Sequence, residues 1–157
     1  RADVVAGKSY ADAGQVSLFF TNTMGIAAYT IDAVSPQTGA RFGNTVAAAG
    51  DVNAADGVDF VVGAPKANVI TLDGKKLVDA GQVSVHRADT GVVVFDPYDG
   101  RYKAGQAGFS VSGGGDHNGD GYDDVLIGSP FAAFGKFSKA GVAEVISGKE
   151  ASKAAAP

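Results

Sequence analysis

The octapeptide DAGQVSLF, Asp12 to Phe19, returns almost unchanged as DAGQVSVH, Asp79 to His86, and more loosely as KAGVAEVI, Lys139 to Ile146. The copies begin 67 and 60 residues apart. Self-similarity at such a spacing marks stacked supersecondary units, none of which can bury its apolar face alone. A second element precedes each copy: DVVAGKS from Asp3, DFVVGAP from Asp59 and DVLIGSP from Asp124, with an Asp four residues before a Gly every time. A third, RFGNTVAAAGD from Arg41, matches AGFSVSGGGD from Ala107, and each copy runs into an acidic loop.

Every piece of this unit reads as strand or turn. Val16, Leu18 and Phe20 alternate with Ser17 and Phe19, and Val83 and Val85 with Ser84 and His86, the period of a sheet with unequal faces. Val61-Val62 and Val125-Leu126-Ile127 are too short for helices and are fenced by Asp and Gly. Ile26 to Val34 and Gly91 to Phe95 supply a fourth candidate strand. Ala47-Ala48-Ala49 has helix propensity, but its counterpart near Ser112 to Gly115 is a poor helix former, so strand is expected in both. The fold class is therefore all-β. Four short strands in a unit of about 60 residues suit the blade of a radial β-propeller. A sandwich is the competing architecture, although nothing in it requires one hairpin sequence three times.

Composition narrows the function classes. The chain has 157 residues, enough for a core without staples, and no Cys, so disulfides play no part. A formal charge of −4 with no basic stripe argues against nucleic acid as a partner. No apolar run approaches the roughly 18 residues of a membrane span, so no membrane insertion is expected. The N-terminus does not resemble a signal peptide, which places any targeting signal outside this sequence or already removed.

The acidic loop DHNGDGYDD, Asp116 to Asp124, carries the clearest chemistry. Asp116, Asn118 and Asp120 offer oxygens at alternate positions, Gly121 permits a sharp turn, the Tyr122 carbonyl is a further candidate ligand, and Asp124 closes the loop. Calcium takes six to eight hard oxygen ligands, which such a curved segment can supply. Without a cation the three carboxylates would repel one another at close range. An Asx-turn loop that needs no ion is the alternative; the spacing and the apolar strand that follows favour metal. The earlier copy, DVNAADGVD, keeps Asp51, Asn53 and Asp59 in the first, third and ninth places but has Ala55 fifth, with Asp56 one position late. Either Asp56 reaches the ion through a rearranged turn, or carbonyls and water complete a weaker site. His117 is not expected to bind the ion, since calcium prefers oxygen.

Phe42-Gly43 with Gly63-Ala64-Pro65, and Phe109 with Gly128-Ser129-Pro130, together with the acidic loops, make the chain resemble FG-GAP repeats. These are the blades of the seven-bladed propeller of integrin α subunits, also found in bacterial secreted and surface proteins and in glycosylphosphatidylinositol-specific phospholipase D. In the second copy Gly108-Phe109-Ser110 stands where Phe-Gly is expected, and Ser129 replaces Ala. The resemblance implies a calcium-stabilised, extracellular or cell-surface module that binds protein or glycan in adhesion. Its rivals are the non-catalytic propeller part of a secreted, phospholipase-like hydrolase, and a structural component of a surface assembly. On this frame residues 1–148 form a partial β-propeller: an incomplete blade at 1–34, a full blade at 40–96 and an incomplete blade at 105–148, followed by a flexible tail at 149–157. Such a run cannot close a ring of about seven blades. Another polypeptide, from the same precursor or a separate subunit, is expected to complete it; a small domain that caps its own edges is the alternative.

No catalytic residues are assigned. His86 ends a strand with no nucleophile beside it in sequence and reads as a surface residue, and Ser9, Ser110 and Ser129 occupy framework positions. Phe131, Phe134 and Phe137 lie in a variable loop, where they are expected to cover a neighbouring blade or, failing that, to contact a ligand. Asn68 to Asp79 is expected to form a small hairpin turning at Asp73-Gly74.

Overall fold

The computed structural model describes residues 2–5, 8–19, 29–55 and 57–149. Every element among them is a short β-strand. In chain order they are β1 (Ala2–Val5), β2 (Lys8–Ala11), β3 (Gln15–Leu18), β4 (Tyr29–Asp32), β5 (Thr45–Gly50), β6 (Asp59–Ala64) and β7 (Val69–Ile70). There follow β8 (Lys76–Leu77), β9 (Gln82–Arg87), β10 (Tyr98–Asp99), β11 (Ser110–Gly115), β12 (Asp124–Ser129) and β13 (Val142–Ile146).

The central blade is the antiparallel sheet β10-β9-β6-β5, and the next is β11-β12-β13. Within them the repeat is obeyed to the residue. β5 pairs with β6 through a register shift between Ala48 and Gly50, and β11 with β12 through the same shift between Gly113 and Gly115. Each bulge ends on a glycine in the left-handed region, Gly50 at φ 81° and Gly115 at φ 64°, and turns the chain into its acidic loop. The predicted hairpin exists as β7-β8 with Gly74 at φ 79°. The fourth strand of the central blade is β10. The expected segment Gly91 to Phe95 contributes a single bridge, Val93 to His86, and then buries Phe95.

In the first repeat the pairing differs. β1 pairs with β2 and β3 with β4, as separate hairpins, whereas in the central blade the corresponding second strand pairs with the third. The connection explains this: Gly7 and Asp12 are close in sequence, while Gly63 and Asp79 are separated by the β7-β8 hairpin. Ile26 to Ala28 of the expected fourth strand fall outside the described residues; β4 forms it from Tyr29 to Asp32, and Ala33 and Val34 lie beyond the strand.

Blades join through the Ala-Gly corner. Asp12, Asp79 and Lys139 all adopt positive φ, 52°, 52° and 55°, ahead of Gly14, Gly81 and Gly141. From the first corner, Asp12 and Ala13 carbonyls accept the N–H groups of Arg41 and Phe42 at 3.1 and 2.7 Å; from the second, Asp79 and Ala80 accept those of Gln106 and Ala107 at 3.1 and 2.8 Å. A Cβ on Gly14 would overlap the Phe42 carbonyl, and one on Gly81 the Ala107 carbonyl. This close approach, with φ near +90°, is why the corner needs glycine. It also corrects the alignment: Ala107-Gly108 occupies the place of Phe42-Gly43, and Phe109 follows it.

Among the described residues two large apolar clusters result, with a small third one of Val69, Leu77 and Ala80 under the β7-β8 hairpin. Val16, Ile31 and Phe42 meet Phe60 and Val62 on one side of β6; Val61, Val83 and Val85 meet Val125 and Ile127 on the other. β6 is buried along its whole length because it lies between two neighbours. β12 buries Val125 and Ile127, but Leu126 beside them and Val145 on β13 are exposed.

Candidate functional site

Both acidic loops leave a bulge glycine and end on the first residue of an inner strand. In the loop at 116–124 the backbone N–H of Asp120 donates to Asp116 Oδ1 at 2.9 Å and to Asn118 Oδ1 at 3.0 Å, so these two oxygens converge on one point. Gly121 N–H donates to Asp116 Oδ2 at 2.8 Å, and Tyr122 N–H to Asp120 Oδ1 at 3.1 Å. The Gly121 bond, ahead of that from Asp120, holds the Asp116 carboxyl below the ordinary carboxylate range. Asp124 is 1% exposed; its two oxygens accept from His117 N–H at 3.1 Å and Gly148 N–H at 3.3 Å. The Ser147 hydroxyl lies 3.4 Å from both Asp120 Oδ2 and Asn118 Nδ2. His117 itself is exposed.

The loop at 51–59 repeats this backbone. Ala55 N–H donates to Asp51 Oδ1 at 3.1 Å and to Asn53 Oδ1 at 2.9 Å, as Asp120 N–H does in the later copy. Ala54, at φ 53°, stands where Gly119 has φ 74°. Asp59, 2% exposed, accepts from Val52 N–H at 3.0 Å, and burial pushes its pKa up. Asp56 lies outside the described residues.

The candidates are thus brought together in part. Positions one and three converge in both loops, while the closing Asp points inward and is anchored on backbone amides. Among the described residues no three His, Cys, Asp or Glu side chains gather as a metal cluster. The donor set nevertheless fits a hard cation in kind: every candidate donor is oxygen, two already converge, and the closing carboxylate is buried at the loop's base.

The repeat geometry has a counterpart among known proteins: residues 107–143 match the FG-GAP repeat model. The chain carries FG-GAP repeats. It is 30% identical over 118 residues to integrin alpha pat-2 of Caenorhabditis briggsae, across 75% of this chain and 10% of that protein. It is 33% identical over 108 residues to integrin alpha-E of Mus musculus, across 65% of this chain and 9% of that protein. The chain therefore spans about a tenth of the length of these curated relatives. The FG-GAP match begins at Ala107-Gly108, where the structure sets the start of the blade.

Two further groups of residues read differently in three dimensions. His86 is not a surface residue: it is 2% exposed, stacked on Phe60 with ring centroids 5.6 Å apart and edge-on to Phe42 at 6.0 Å. Its Nε2 lies 2.8 Å from Ser84 Oγ and its Nδ1 3.1 Å from the Gly91 carbonyl, and burial lowers its pKa. Ser84 is equally buried, so this pair is a satisfied core hydrogen bond. In the aromatic loop, Phe131 sits edge-on to Phe109 at 6.1 Å, while Phe134 and Phe137, 66% and 61% exposed, bridge to each other and project outward.

Proposed function

We propose that this chain forms part of a calcium-stabilised β-propeller, extracellular or at the cell surface, that binds protein or glycan in an adhesion role. The observation that carries the cation reading is the convergence of the first and third loop oxygens on one backbone N–H in both copies. Asp116, Asn118, Asp120, the Tyr122 carbonyl and Asp124 would hold one ion, and Asp51, Asn53, Asp56 and Asp59 a second. Calcium would neutralise carboxylates that otherwise crowd, and so clip each loop between its two strands. Similarity to the two integrin α chains supports the adhesion setting. Among the described residues no helix is long and apolar enough to cross a membrane.

Further polypeptide, of the same precursor or a separate subunit, covers the open side of the last blade in this reading. Leu126 and Val145 are 42% and 52% exposed there, whereas β6, flanked by blades on both sides, is wholly buried. Thermal melting during a calcium titration, with magnesium as the control, tests the cation reading. Melting should rise with calcium, by about 2.7 kcal/mol in stability at roughly one hundred times Kd, and Asp120→Ala with Asn118→Ala should lower the gain. A melting temperature indifferent to calcium overturns the reading.

A further inference from the structure

The two acidic loops touch, and Asp123 is the residue that joins them. Its N–H donates to the Asp51 carbonyl at 3.0 Å, and its Oδ2 accepts from the Asp51 N–H at 2.8 Å. Asp51 is therefore held on both sides of its own Cα by a single residue of the neighbouring blade. The carboxylate fills the space over Gly50, where a Cβ would overlap Oδ2. Gly148 is wedged into the same junction: a Cβ on it would overlap the Val52 carbonyl, while its N–H donates to Asp124 at 3.3 Å. Thus the first ligand candidate of one loop is bonded to the residue just before the closing ligand candidate of the other. The residue matching Asp123 in the earlier loop is Val58, which has no side-chain acceptor and is 63% exposed.

We infer that Asp123 is a positioning residue that couples the two loops, so that a cation bound at 116–124 raises the affinity of the loop at 51–59, and the reverse. The inference rests on the cation reading above. An ion on Asp124 fixes the backbone at Asp123, and Asp123 in turn fixes the main chain on both sides of the Asp51 carboxylate. The ordering of Asp51 is then already complete when the second ion arrives. By linkage the effect is equal in both directions.

Reciprocity supplies the measurement. Tyr122 lies inside the loop at 116–124, whereas the Tyr29 hydroxyl bonds the Ala88 carbonyl beside the loop at 51–59, so in a Tyr29→Phe background tyrosine-sensitised terbium luminescence, competed with calcium, reads the later loop. In the full chain, Asn53→Ala, which weakens the earlier loop without touching the Asp51 backbone, should lower terbium affinity at the later loop about fivefold or more. Asp123→Ala should abolish that dependence, and Asp123→Asn, which keeps an acceptor oxygen, should retain it. If terbium binds but Asn53→Ala leaves its affinity unchanged, the coupling is overturned while the cation reading stands, and this arm needs no Asp123 variant to fold. If neither ion binds the unaltered chain, both are overturned. Retained dependence in a folded Asp123→Ala chain removes Asp123 from the role.

Discussion

The loops at 51–59 and 116–124 have nearly the same backbone around different side chains. Position five is Ala55 in one and Asp120 in the other, yet both N–H groups donate to the corresponding pair of side-chain oxygens. Position four takes a positive φ whether it is Ala54 or Gly119. The paired strand ends in Arg87, opposite the closing Asp59, in the first case; in the second it ends at Ile146, opposite Val125, and Ser147 follows it. Ser147 reaches Asp120 and Asn118, whereas Arg87 turns to Asp89 at 2.7 Å. The loop's shape is thus specified by positions one, three and nine together with the strands on either side. In the calcium reading proposed above, ion affinity is left to position five and to what stands across from it.

The largest expected effect separates the two closing carboxylates. Asp124→Ala removes the acceptor of two N–H groups, the part-buried one of His117 and the buried one of Gly148, and should cost about 2–4 kcal/mol in calcium-free denaturant unfolding. Asp59→Ala strands the N–H of Val52 and relieves a buried carboxylate whose ionised form is disfavoured, so its cost should be about 1–2 kcal/mol. Equal costs would mean that the two blades use their closing Asp alike.

Exchange at position five should be the next largest. Asp120→Ala gives the later loop the earlier loop's side chain and should weaken its calcium affinity about tenfold, roughly 1.4 kcal/mol, in a calorimetric titration. Ala55→Asp should strengthen the earlier loop by a similar factor, because Ala55 is exposed and its N–H already sits at the convergence point. A null result for Ala55→Asp would show that Asp56 already fills this role.

A third contrast lies beneath the loops. β9 and β13 are paired to their inner strands in the same way, and His86 of the central blade corresponds to Ile146 of the next. Burial depresses the His86 pKa, so the neutral ring is the folded form. Its contribution is present above the unfolded value near 6.5 and is lost as pH falls through the lower folded value. The groups around it, Phe42, Phe60, the Ser84 hydroxyl and the Gly91 carbonyl, carry no charge to offset protonation. Melting should therefore drop below about pH 6 by an amount that His86→Gln largely removes. Parallel curves for the two proteins would refute this.

His86 also shows where the sequence stopped being legible. The alternation of Val83 and Val85 with Ser84 and His86 reads as one wet face, but that rule holds only for a sheet with solvent on one side. β9 lies between two blades, a fact set by stacking and invisible in the strand itself. Repeats, loops and all-β class were legible because each rests on local residues: Gly at the corner, alternating oxygens, short apolar runs. The pairing of β1 with β2 was not, since it depends on the length of a connection. Ala107 in place of Phe42 was hidden because the nearby Phe109 drew the alignment two residues along; the positive φ of Gln106, matching Arg41, resolves it.

The smallest effect belongs to Arg87. Its guanidinium is paired with Asp89, and the bond from Arg87 holds the Asp89 carboxyl down at about 2. Solvent screens an exposed pair of this kind, so Arg87→Ser should leave calcium-free stability nearly unchanged. The charge still stands beside Asp59 and Asp51, where it competes with any cation. Replacing it with the residue found at 147 should raise calcium affinity at the earlier loop by about two- to threefold, an effect that shrinks as ionic strength rises. A gain that persists in high salt would point to new ligation by the serine hydroxyl in place of relieved repulsion, and would make Ser147 a working part of the later loop.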